Sequence, residues 1–195
     1  MTRVSVRLIG CLAAAATGCL AATTPATAQV FLTQEEALRV AFPPPATVER
    51  ETAFLDEDQL SVARRLAGDD VRVDRRVVNY YVGRLGSESL GVAYFDAHRV
   101  RTMTEVAMVV VTPEATIGRV EVLSFLEPPE YRASGRWIDQ LSGVVLTEDL
   151  AVDRGIVNLT GATLTAGALT RASRRILALD QVIRPRRTPG GGSGG

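Results

Sequence analysis

Residues Val77–Ala97 read VVNYYVGRLGSESLGVAYFDA. Two apolar runs, Val77–Leu85 and Leu90–Ala97, flank the small polar stretch Gly86–Ser89. Alternating apolar runs separated by a Gly/Ser turn pair naturally, so the stretch predicts an antiparallel hairpin. Two further strands follow it. They are TEVAMVVVT (Thr104–Thr112) and RVEVLSFL (Arg119–Leu126), separated by PEATIG. Val106–Val111 is apolar at nearly every position, the pattern of a central strand covered on both faces.

Helices frame this block. In FLTQEEALRVAF, Thr33 and Glu36 stand at capping-box spacing, and Pro43–Pro45 ends the helix they open. TVERETAFL (Thr47–Leu55) reads as a strand, with Val48 and Phe54 among its apolar residues. In DEDQLSVARRLAG, Asp56 is placed to cap a second helix. Leu60, Ala63 and Leu66 share one face of it, and Gly68 stops it. SGRWIDQLSG predicts a brief helix closed by Gly143. A last helix starts near Leu164. Its Leu169, Ala172, Ile176, Leu179 and Ile183 fall at steps of three and four, with Arg171, Arg174 and Arg175 mostly outward. Helices outside a meandering sheet make a single α+β domain: a mostly antiparallel sheet of four to six strands, flanking helices and a C-terminal amphipathic helix.

The two ends read differently. Residues 1–28 carry arginines, then the apolar LIGCLAAAATGCLAA, then a small-x-small pattern at Ala26 and Ala28. That is the layout of a secretory signal peptide cleaved after Ala28, with a lipoprotein site at Cys19 as the minor alternative. The domain is expected over 29–184, and 185–195 is a flexible Gly/Pro-rich tail. Both cysteines lie in the leader, so disulfides, thiolate metal sites and cysteine nucleophiles are excluded from the domain. With the leader removed, 20 arginines face 22 acids and there is no lysine; that near-neutral balance gives no support to nucleic-acid binding. The single histidine, His98, has no G-x-S-x-G elbow beside it and reads as a surface residue at a strand end. The acidic runs DED and EDL lack metal-loop spacing and read as caps and solvated surface.

One stretch remains. VNLTGATLTAGALTRA (Val157–Ala172) crowds threonines where the last helix begins. Two readings are open. Threonines cap helices, and Gly and Ala sit in turns. Alternatively, the free N–H groups and positive dipole end of a first helical turn favour a phosphate, and hydroxyls from Thr160, Thr163 and Thr165 beside the permissive Gly161 suit a phosphate monoester, bound or attached.

LTGATLTA resembles the [ST]-G-A-T-x-[ST]-S flavin-attachment motif of the FMN-binding domain family, which includes flavin subunits of the Na⁺-translocating NADH:quinone reductase and Rnf complexes and many small secreted flavoproteins. The resemblance extends along the mature chain. The opening segment 33–68 is similar to that of the small secreted members. GRVEVLSFLEPPEYR falls where the family has a strand and a Glu-Thr-Pro-Gly-like loop, and RWIDQLSG is similar to its Trp-x-x-Gln-Phe-x-Gly segment through Trp137, Gln140 and Gly143. The resemblance implies FMN held by a phosphoester on Thr163, installed from FAD by a flavin transferase outside the cytoplasm. Thr160, Gly161, Ala162 and Thr165 would line the phosphate, and Glu127 and Pro129 would lie near the ring system. Trp137 is either a flavin neighbour or a core anchor.

The implied protein is a periplasmic or secreted electron carrier serving membrane or periplasmic redox partners, with peripheral membrane association. A flavin-dependent reductase of a small acceptor and a secreted FMN- or ligand-binding module without redox turnover are the other readings. Three positions depart from the family pattern. Val157 stands where an acid is usual, Glu-Pro-Pro-Glu replaces Glu-Thr-Pro-Gly, and Ala166 replaces the final serine. The first of these bears directly on recognition by the transferase.

Overall fold

Between Val77 and Phe125 antiparallel strands succeed one another as a meander because each turn between them is short. A computed structural model describes residues 29–184; the expected leader, with its Ala28 and Cys19 alternatives, and the tail from 185 lie outside the described residues. In chain order the elements are β1 (Gln29–Val30), α1 (Gln34–Ala41), β2 (Thr47–Phe54), α2 (Glu57–Ala67), β3 (Val77–Leu85), β4 (Glu88–Arg99), β5 (Thr104–Val111), β6 (Ile117–Phe125), α3 (Gly135–Ile138) and α4 (Thr163–Ile183). The sheet has six strands in the order β1-β6-β5-β4-β3-β2, and every neighbouring pair is antiparallel. The α+β class and the strand number expected from the sequence both hold, the sixth strand being only two residues long.

The hairpin turn is tighter than its sequence suggested. Leu85 pairs with Glu88, so only Gly86 and Ser87 form the turn. Gly86 has φ 60°, the left-handed backbone that a two-residue hairpin turn requires at its first central position. Glu88 and Ser89 therefore join β4, and a register shift at Gly83/Arg84 takes up the mismatch.

β5 is covered on both faces, as its unbroken apolar run predicts. Ala107, Val109 and Val111 belong to the main core with Leu60, Ala63, Leu169 and Ile176 of α2 and α4. Met108 and Val110 face the opposite side, against Ala37 and Phe42. Phe42 reaches that side because β3 offers no side chain there: a Cβ on Gly83 would lie 2.3 Å from the Phe42 ring. Both capping boxes form. Thr33 Oγ1 accepts from the Glu36 N–H at 3.2 Å and Glu36 Oε2 accepts from the Thr33 N–H at 2.7 Å. Asp56 and Gln59 exchange the equivalent bonds at 2.8 and 3.0 Å, each such cap being worth about 1 kcal/mol.

The arginines of α4 correct the sequence reading. Arg174 and Arg175 do not point outward. Arg174 donates to the carbonyls of Ala67, Thr147 and Leu150 at 2.8, 2.6 and 3.1 Å. Arg175 grips both oxygens of Asp96, through Nε at 3.0 Å and Nη2 at 2.7 Å. The Arg174 flank of α4 is covered by the end of α2 and the loop around Leu150, and Arg175 reaches β4 and the Arg72 carbonyl. A long aliphatic stem lets the guanidinium fold back to these partners while the helix keeps its apolar face on the sheet. Among the described residues no helix is long and apolar enough to cross a membrane.

Candidate functional site

The start of α4 is positioned by two side chains from the segment before it. Ser134 accepts from the Trp137 N–H and opens α3. Trp137, 7% exposed, donates its indole N–H to the Val157 carbonyl at 2.7 Å. Gln140, one turn on, accepts from the Val157 N–H at 2.8 Å and donates to the same carbonyl at 3.4 Å. Both backbone groups of residue 157 are thus held from one side, while the Val157 side chain is 73% exposed. Trp137 is a core residue, one of the two readings of it, and is also the anchor of this loop. From Val157 the chain turns at Leu159–Ala162, where the Ala162 N–H bonds the Leu159 carbonyl at 3.0 Å, and α4 begins at Thr163.

Capping does not explain the threonines. The N-cap residue is Ala162, and no side chain caps the helix. The first helical bond runs from the Ala166 N–H to the Ala162 carbonyl, which leaves the first turn's N–H groups and the positive end of the helix without a side-chain acceptor. Thr163 occupies the first helical position, exposed, its hydroxyl donating to the Leu159 carbonyl at a long 3.3 Å. Thr160 and Gly161 are exposed beside it; Gly161 has φ 84°, and no heavy atom lies within 4 Å of where its Cβ would stand. Ala162 is buried. Thr165 faces the other way: it is 1% exposed and donates to the Tyr131 carbonyl at 2.5 Å, tying α4 to the loop after β6.

That loop carries Glu127 and Pro129. Glu127 Oε1 accepts from the backbone N–H groups of Met103, Thr102 and Arg101 at 2.8, 2.6 and 3.1 Å. These bonds, the one from Met103 foremost, hold the carboxyl below its usual range against the opposing effect of desolvation. Glu127 is therefore the clamp of the β4–β5 turn. Pro129 opens a single 3-10 turn ending at Tyr131, and the Arg101 guanidinium lies over the Tyr131 ring, 4.6 Å from its centroid. One connected patch results. Glu127 holds the 101–103 turn, Tyr131 bonds Thr165, and Trp137 bonds Val157, all around the opening of α4.

A second cluster escaped the sequence reading. His98 is not a surface histidine; its side chain is 8% exposed. Its Nδ1 lies 3.0 Å from Asp96 Oδ2 and its Nε2 2.9 Å from Glu105 Oε2, while Arg175 holds Asp96 from the other side. The signal was present in outline. Asp96 and His98 are two apart on one strand, hence on one face, and Glu105 is the direct cross-strand partner of His98. Reading it required the register of the β4–β5 hairpin. Among the described residues no group of His, Cys, Asp and Glu is arranged to hold a metal.

The pH dependence follows from the geometry. Burial opposes charge on His98, but bonds to Asp96 and Glu105 outweigh it and raise the imidazole above its ordinary 6.5. Burial likewise opposes charge on Asp96, and His98 and Arg175 outweigh it, holding the carboxyl well below its ordinary 3.8. A raised histidine stabilises the fold below its unfolded value and loses that contribution as pH rises through the folded one. A depressed aspartate contributes above its unfolded value and loses its share as pH falls toward the folded one. Stability measured by urea unfolding should therefore hold between about pH 4 and 6.5 and fall above it, with a slope of up to about 1.4 kcal/mol per pH unit. His98→Gln should abolish the fall above pH 6.5; an unchanged slope would remove His98 as its source.

Fold and site together define an α+β meander whose longest helix opens, uncapped, on an exposed threonine. Compared with known proteins, the chain matches no family model, and no curated protein is similar enough to count as a match.

Proposed function

We propose that this chain is an extracytoplasmic flavoprotein that carries FMN covalently on Thr163 and relays electrons between redox partners in the periplasm or at the membrane surface. The observation that carries the reading is the opening of α4: first-turn N–H groups without a side-chain cap, beside an exposed Thr163 hydroxyl. The residues present fit a phosphate monoester. Thr163 offers the ester oxygen, the helix N-terminus offers donors and a favourable dipole, and Gly161 leaves the approach open. Thr160 adds a hydroxyl at the rim. Thr165, turned to Tyr131, fixes the helix rather than meeting the phosphate.

Attachment would form a bond between Thr163 Oγ and the FMN phosphorus and break the pyrophosphate bond of FAD, releasing AMP as a flavin transferase takes up the hydroxyl proton. Once attached, the flavin supplies one- and two-electron redox chemistry. The chain's own task is to keep the tether in place. Trp137 and Gln140 hold Val157, Glu127 holds the neighbouring turn, and α4 presents Thr163 outward. A covalent link suits a compartment where a lost cofactor could not easily be recaptured.

Val157 favours one second reading, a secreted FMN- or ligand-binding module that is not flavinylated. Position 157 is held by its backbone and its side chain is exposed, so an acid there would cost little to the fold. Coexpression with a flavin transferase decides between them. The denatured wild-type protein should show in-gel flavin fluorescence and an intact-mass gain of FMN minus water, and Thr163→Val should lose both. A wild type that stays unlabelled while Val157→Asp is labelled would establish the second reading.

A further inference from the structure

β3 and β4 are neighbours in the middle of the sheet, yet they pair along only part of their length. Their register runs from Leu85↔Glu88 to Tyr80↔Tyr94. Beyond it, Val77–Asn79 pair only with β2, and Phe95–Arg99 only with β5. The sheet opens at this end, and the opening is a cleft of ≈ 750 Å³, well within the range of small-molecule sites. The long β4–β5 hairpin is drawn to α4 by the Asp96–Arg175 pair. The start of β3 stays instead with β2.

The cleft has a mixed apolar and charged lining. Val77 and Val78 line one side and Tyr94 and Phe95 the other, with Ile176 and Leu179 of α4 below. Arg50, Arg72, Arg75 and Arg99 also line it, and its two acids are already committed. Asp96 is held by Arg175 and His98, and Asp74 pairs with Arg72 at 2.6 Å. Arg50, Arg75 and Arg99 have no ion-pair partner among the described residues. Three arginines without an ion-pair partner thus line one opening in a chain whose formal net charge is zero. Guanidinium forks bind carboxylate and phosphate oxygens in paired, charge-assisted bonds. Asp96 and His98 also line the cleft.

We propose that the split between β3 and β4 binds a small organic anion, its carboxylate or phosphate group drawn by the arginines that line the cleft, Arg50, Arg75 and Arg99, and its apolar part laid between the two strands. Arg175, beside the cleft, lies twelve residues beyond Thr163 on α4, about 18 Å along the helix axis. The site is separate from the flavin tether and does not rest on it.

Calorimetric titration of the unflavinylated protein with phenyl phosphate, benzoate and neutral benzyl alcohol tests the proposal. One of the two anions, or both, should bind at a single site, the stronger one identifying the anionic group preferred. Benzyl alcohol should bind at least about tenfold more weakly. Replacing Arg50, Arg75 and Arg99 together by alanine should weaken the anion about tenfold or more, with Arg75→Ala alone giving part of that loss. A charge-matched control, alanine at Arg65, Arg119 and Arg154, removes the same net charge elsewhere on the surface and should change affinity less than about twofold. These six arginines are solvent-exposed side chains, and unchanged thermal unfolding confirms that each variant is folded. Absence of binding by both anions, equal binding of the alcohol, or equal losses in the two triple variants would overturn the proposal.

Discussion

Asp96→Asn should destabilise the folded protein by about 3–5 kcal/mol, a change large enough to see directly in the urea midpoint. Asp96 is 4% exposed and receives two bonds from Arg175 and one from His98. The amide keeps the shape and removes the charge. Arg175, with 17% of its side chain exposed, is then left without its counter-charge in a poorly solvated place, while His98, with 8%, keeps Glu105 alone. The 3.1 Å bond from Arg175 Nη1 to the Arg72 carbonyl survives on that guanidinium, and the single amide oxygen can accept only one of the two bonds the carboxylate took. The cost is that of an uncompensated buried charge, which differs from the net worth of the pair. Removing the partner as well should therefore help: Asp96→Asn with Arg175→Met should recover part of the loss, the sign expected of coupled sites. Urea unfolding of the four members of this cycle measures both quantities. A loss under about 1 kcal/mol for the single variant would mean that water reaches the cluster and screens it.

The same cluster shows where sequence reading stops. The hairpin, the covered β5, the Thr33 capping box and the Asp56 cap were legible because each is written in residues that are close in the chain: a Gly/Ser turn, an apolar run, a three-residue spacing, a cap beside its helix. Arg174 and Arg175 were read outward because helical periodicity counts apolar positions only, and nothing local announces a partner 79 residues away. His98 was read as exposed for the same reason, since its second partner, Glu105, becomes a neighbour only once the hairpin register is known. At α4 local rules left two readings open. A local rule, that threonines cap helices, fitted the sequence well, and the chain instead placed Ala162 at the cap and Thr163 just inside. The split between β3 and β4 was not legible at all. It arises from two pairings of unequal length, and no single segment encodes it.

Trp137→Ala should cost about 3–5 kcal/mol through the cavity it leaves, but the more informative change is Trp137→Phe. Phenylalanine keeps an aromatic ring in the core and removes the indole N–H that bonds the Val157 carbonyl at 2.7 Å. That carbonyl then retains only the 3.4 Å bond from Gln140, so the expected loss of stability is about 1 kcal/mol. If Trp137 is only a core anchor, a folded Trp137→Phe protein should be flavinylated as fast as the wild type. If it also fixes the approach to Thr163, the transferase should label the variant several-fold more slowly at a temperature where both proteins are fully folded. The Val157 hold comes from α3 and the 3-10 turn after it, neither of which touches the Thr163 hydroxyl directly. A rate effect without a large stability effect would therefore assign Trp137 a positioning role through the loop. Equal labelling rates would return Trp137 to the core alone and leave Gln140, the other side chain on Val157, to be tested next by the same comparison.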